Sequence, residues 1–162
     1  MKLDDSLGYL ISNTGRKLSN VLTNQFTRYN ITTEQWTLLN RLVEWEGISQ
    51  KDLASQTEKD PANVTRILDQ LERKGLAVRR LNPNDRRSFL IYATSKGEEL
   101  NHRLIPIEEQ TVQRLLKGLS EQQVQMLKET LNQIAENANT MMRVQSIHQE
   151  KKKNDTTNTV EP

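Results

Sequence analysis

The feature that most constrains this chain is residues 60–94, DPANVTRILDQLERKGLAVRRLNPNDRRSFLIYAT. Asp60 stands where a helix N-cap accepts the first free N–H groups, and Pro61 follows at the first helical position, where its missing N–H costs nothing. Val64, Ile67, Leu68 and Leu71 then recur at i, i+3, i+4, i+7, so one stripe of this helix faces a core. Gly75 supplies the stop. The opposite face carries Ala62, Thr65, Arg66, Asp69 and Arg73, with Asn63 and Gln70 on a flank. Two strand-like runs follow, Leu76–Leu81 and Phe89–Ala93, joined by a loop over 82–88 that carries Arg86 and Arg87. A helix that buries one side and offers small polar groups plus arginine on the other fits a DNA major groove. A short hairpin tipped with two arginines fits the neighbouring phosphates and minor groove. The pattern predicts a winged helix-turn-helix, with a recognition helix over 60–74 and a wing over 82–88.

Local charge supports this. Between Asp60 and Leu90 the bases are Arg66, Arg73, Lys74, Arg79, Arg80, Arg86 and Arg87, and the acids are Asp60, Asp69, Glu72 and Asp85. Seven against four leaves an excess of three, more than the net +2 of the whole 162-residue chain. Counterion release makes such a patch favourable for double-stranded DNA. The alternative is a winged-helix module for protein–protein contact without specific DNA binding. Such a module keeps the apolar stripes but has no need of Arg66, Arg86 and Arg87 at these places.

The flanks read as helices. Leu3 to about Tyr29 forms a long amphipathic helix through Leu7, Leu10, Ile11, Leu18, Val21, Leu22 and Phe26. Thr32-Thr33-Glu34-Gln35 is a capping box opening a helix whose Trp36, Leu39, Leu42 and Val43 face inward. Ser49-Gln50-Lys51-Asp52 caps a shorter one, and Thr57-Glu58-Lys59 turns into the Asp60 helix, which is helix-turn-helix spacing. After the hairpin, Thr94 or Ser95 caps a helix bearing Leu100, Leu104, Ile107, Val112, Leu115 and Leu116, with a kink expected at Pro106 and an end at Lys117-Gly118. Ser120-Glu121-Gln122-Gln123 opens a last one with Val124, Leu127, Leu131, Ile134, Ala138 and Met141. The expected fold is mainly α with a small β-hairpin wing. It divides into an N-terminal dimerisation helix (1–31), a winged helix-turn-helix lobe (32–94), C-terminal dimerisation helices (95–145) and a disordered polar tail (146–162). Long apolar stripes in a chain of 34% hydrophobic residues and mean hydropathy −0.78 suggest that a second copy completes the core.

Other classes find little support. There are no cysteines, which excludes disulfides, cysteine-ligated zinc and thiol-based redox sensing. No window reaches the ~20 apolar residues of a membrane span, so a soluble cytoplasmic protein is expected. Only His102 and His148 are available as histidines, and no Gly-rich phosphate loop or metal-spaced ligand set exists. Glu98-Glu99 and Glu108-Glu109 are adjacent pairs pointing in different directions along a helix. No enzyme, cofactor or metal is expected.

The helix order, the Asp60–Leu71 helix, Leu71-Glu72-Arg73-Lys74-Gly75-Leu76, the Asn82–Arg87 wing and Thr94-Ser95-Lys96-Gly97 together resemble the MarR family of bacterial transcriptional regulators. The resemblance covers roughly Leu3 to Val144. It implies a homodimer joined through the first and last two helices, on a pseudo-palindromic operator. It implies a repressor released by a small aromatic or phenolic effector, with ligand residues unassigned. It implies that Asp85 braces Arg87 through a carboxylate–guanidinium fork, that Arg87 enters the minor groove, and that Arg86 contacts phosphate. Ala62, Asn63, Thr65, Arg66 and Arg73 belong to the groove-facing helix, where Arg66 suits guanine and Asn63 suits adenine or a bond to its own backbone. Ser49 and Gln50 stand at a helix N-terminus suited to phosphate, although capping alone explains Ser49.

Overall fold

A computed structural model describes residues 2–157, with side chains through Val144. The described residues pack as two units, divided between Leu115 and Leu116. The first unit begins with a short 3-10 turn, then α1 (Leu7–Phe26), a second 3-10 turn and α2 (Thr33–Glu44). Next come β1 (Ile48–Ser49), α3 (Gln50–Gln56), α4 (Pro61–Arg73), β2 (Ala77–Asn82), β3 (Asp85–Ala93) and α5 (Ser95–Leu115). The second unit holds α6 (Glu121–Thr157). β1, β3 and β2 form an antiparallel sheet in that order.

The cap residues act as their chemistry dictates. Thr32 and Gln35 bond reciprocally, Thr32 Oγ1 accepting from Gln35 N at 3.2 Å and Gln35 Oε1 from Thr32 N at 3.3 Å. Asp60 Oδ2 accepts from Asn63 N at 3.1 Å, and Ser120 with Gln123 repeats the box at the start of α6. Asp60 and Pro61 thus start α4 where expected, and its whole stripe is fully buried: Val64, Ile67, Leu68 and Leu71 are each 0% exposed. Gly75, at φ +68°, adopts the left-handed backbone that ends the helix.

Several expectations change. The hairpin is tighter than the sequence suggests: β3 begins at Asp85, Asn82 pairs with Asp85, and only Pro83 and Asn84 turn the chain. Asn82 Oδ1 accepts from Asn84 N at 2.9 Å and its Nδ2 donates to Ser88 Oγ at 3.1 Å, so side chains stabilise what composition marks as loop. The strand Ile48–Ser49 is too short to carry a periodicity. The lobe also reaches beyond 32–94. Leu22 and Phe26 from α1 and Leu104 from α5 are buried, and Phe26 packs edge-on against Trp36 at 5.4 Å. α5, grouped by sequence with the C-terminal dimerisation helices, packs within the first unit. α6 runs helical to Thr157, through much of the tail where a polar composition suggests disorder. No Gly or Pro falls between residues 119 and 157 to stop it. Residues 158–162 of that tail lie outside the described residues.

Candidate nucleic-acid interface

Polar links between helices set the attitude of α4. Gln35 Nε2 donates to Gln70 Oε1 at 2.8 Å, tying α2 to α4. Gln50 Nε2 donates to Thr65 Oγ1 at 2.6 Å, tying α3 to α4. Lys74 Nζ donates to Asn30 O at 2.5 Å and Gln35 Oε1 at 2.7 Å, satisfying a carbonyl at the end of the first helical segment. Burial lowers the pKa of that ammonium. Arg79 pairs with Asp69 at 2.9 Å and also with Glu72. Two of the seven bases counted in the sequence are therefore structural.

The remaining groups stand on the surface. Ala62, Arg66 and Arg73 are exposed on α4, with Asn63 and Thr65 half-buried. Arg73 Nε donates to Asp69 O at 3.2 Å, which draws the side chain back along its own helix. Thr65 Oγ1 also donates to Pro61 O at 2.9 Å, so its hydroxyl is engaged on both sides. Asn63 does not fold onto its own backbone. Its Oδ1 accepts from Arg66 Nη2 at 2.8 Å, and Arg66 also lies 3.7 Å from Glu34 Oε2. Glu34 escapes a sequence reading because no local pattern links the first turn of α2 to the face of α4.

Asp85, Arg86 and Arg87 are exposed at the wing. The brace between Asp85 and Arg87 is not a carboxylate–guanidinium fork. Asp85 Oδ1 accepts from the backbone N–H of Arg87 at 3.0 Å, and no ion pair joins the two side chains among the described residues. An aspartate two residues before a backbone N–H closes this local turn more readily than it reaches a long, solvated guanidinium. Arg87 nonetheless shares the lining of a hollow of about 400 Å³ with Ser49 and Gln50. Ser49 itself is engaged in capping, accepting from Asp52 N at 3.1 Å and donating to Asp52 Oδ2 at 2.5 Å.

Among the described residues no group of His, Cys, Asp or Glu is placed to hold a metal ion, and no helix is long and apolar enough to cross a membrane. A second hollow of about 640 Å³ is lined by Tyr29, Asn30, Arg73, Lys74, Leu76, Lys96, Glu99, Leu100 and Arg103. Its cations are occupied: Lys96 Nζ donates to Lys74 O at 2.8 Å, and Arg103 pairs with Glu99.

The MarR family model matches residues 31–89, the span from the capping box of α2 into β3. The organic hydroperoxide resistance transcriptional regulator of Bacillus subtilis is 30% identical over 129 residues, covering 80% of this chain and 84% of the relative. CouR from Rhodococcus jostii RHA1, solved bound to p-coumaroyl-CoA, is 29% identical with a TM-score of 0.75 over 83% of this chain and 95% of that one. The S. aureus MepR–DNA complex is 25% identical with a TM-score of 0.76 over 82% and 98%. Likeness over nearly the full length of these proteins, together with the capped recognition helix and arginine-tipped hairpin, places the chain in the MarR family of winged helix-turn-helix transcriptional regulators.

Proposed function

We propose that this chain is a sequence-specific regulator of transcription that binds double-stranded DNA as a homodimer, in the cytoplasm and without catalytic activity. α4 enters the major groove and the hairpin around Arg86 and Arg87 enters the adjacent minor groove. Residues 1–31 and 95–145 supply the dimer contacts. The observation that carries the reading is on one lobe: a helix with a fully buried stripe and exposed Ala62, Arg66 and Arg73, beside a hairpin whose two arginines lack ion-pair partners among the described residues. The relative solved on DNA supports it. The reading extends to repression relieved by a small aromatic or phenolic ligand, supported by the relative solved with p-coumaroyl-CoA. The B. subtilis relative is named for hydroperoxide resistance, but a chain without cysteine has no thiol to sense peroxide with.

A titration of duplex DNA across a salt series tests this. The logarithm of a DNA binder's affinity falls linearly in log[salt], with a slope set by the phosphates it neutralises, whereas a protein-interaction module gives no sequence-selective binding. Arg87→Ala is expected to weaken binding on every sequence and to lower the salt slope by about one. Asp85→Ala acts in the same direction at smaller cost, because it frees only the Arg87 backbone N–H. Unchanged affinity in both variants removes the wing from the interface.

A further inference from the structure

Arg66 does not stand alone on the groove face of α4. Its Nη2 donates to Asn63 Oδ1 at 2.8 Å and lies 3.7 Å from Glu34 Oε2, while Lys59 Nζ lies 4.0 Å from Glu34 Oε1. Both sides of this clamp rest on fixed backbone. Glu34 sits inside the capping box of α2, and Asn63 is the residue whose N–H bonds the Asp60 cap. The Arg66 and Glu34 side chains are 57% and 51% exposed, so the ion pair adds little stability. Its consequence is geometric.

A guanidinium has only donors, so the amide atom facing it is the Asn63 oxygen. Reading adenine through an asparagine needs that oxygen for the adenine N6 amino group and the amide nitrogen for N7. While Asn63 Oδ1 holds Arg66, one of its two lone pairs and the orientation of the amide are committed, which disfavours this pairing. Arg66 keeps further N–H groups of its fork for guanine O6 and N7.

Resting on the DNA-binding reading above, we infer that Glu34 and Asn63 are positioning residues for Arg66. They make it the guanine reader of α4, and Glu34 sharpens the choice of sequence at some expense in general affinity. On a non-cognate duplex Arg66 gains only a phosphate contact by leaving Glu34, and the carboxylate opposes that contact. On a cognate duplex two parallel bonds to guanine outcompete one screened ion pair.

The test is selection from a random duplex pool, then titration of the enriched and a scrambled duplex, for wild type, Arg66→Ala, Glu34→Gln and Asn63→Ala. Thermal unfolding of each variant shows that it is folded. Arg66→Ala is expected to lose one guanine preference per half-site and about ten- to hundredfold in affinity for the enriched duplex. Asn63→Ala relaxes the same guanine and no adenine. Glu34→Gln binds the scrambled duplex about two- to fivefold more tightly and loses guanine preference by a similar factor. Asn63→Ala relaxing an adenine while sparing the guanine overturns the inference. So does Glu34→Gln with both affinity for scrambled DNA and guanine preference unchanged. A wild-type protein that enriches no sequence contradicts the DNA-binding reading itself, which separates the two failures.

Discussion

A chain carrying Leu131→Glu and Ile134→Glu is expected to sediment as a monomer and to bind DNA only at the non-specific level, a loss of about a thousandfold or more on its preferred duplex. No side chain of α6 is buried among residues 121–144. Leu127, Leu131 and Ile134 are 41%, 41% and 37% exposed, and Met126, Met141 and Met142 more so. An apolar stripe of this length in water is an association surface, and two-fold pairing is the commonest way to cover it. Two carboxylates at its middle would have to be buried unpaired, at a cost of several kcal/mol each. The core of the first unit contains neither residue, so it should still unfold cooperatively. Sedimentation velocity and a gel-shift check both halves of the expectation. A variant that remains dimeric would contradict it, as would a wild-type monomer competent in specific binding.

Gly97→Ala should cost about 3 kcal/mol of folding stability, at the top of the range for overpacking. A Cβ at this position would lie 2.2 Å from the Leu76 carbonyl oxygen and 3.0 Å from Leu39 Cδ1. That carbonyl cannot swing aside, because it accepts from Thr94 N at 3.0 Å. Thr94 Oγ1 in turn accepts from Gly97 N at 3.1 Å and donates to Gly75 O at 2.7 Å. The first turn of α5 is thus pressed against the exit from α4, and the site has backbone on the side where a methyl group would need room. Urea unfolding is expected to show a lower midpoint with an unchanged m-value. A midpoint equal to wild type would mean that α5 can shift at little cost.

What the sequence made legible was local. The caps at Ser49, Asp60, Thr32 with Gln35 and Ser120 with Gln123 lie within three residues of their partners, and all four form. The apolar period of α4 specified its buried stripe completely. Contacts between elements distant in sequence were beyond it. Nothing near Phe26 announces its packing on Trp36, and nothing near Lys74 announces that it caps Asn30. At the candidate interface, residue types located Arg66, Arg86 and Arg87 on exposed surface. Their partners were another matter: Asp85 bonds a backbone N–H rather than a guanidinium, and Asn63 faces an arginine.

Hydroxyl-radical footprinting of the wild-type protein on its enriched duplex tests the central claim most directly. Two recognition helices related by a dyad must fall one DNA turn apart, about 34 Å or 10–10.5 base pairs. Two protected patches are expected at that spacing, related by symmetry, each flanked by protection of a neighbouring minor groove that Arg87→Ala selectively removes. A single unsymmetric patch, or uniform protection without sequence register, would contradict it.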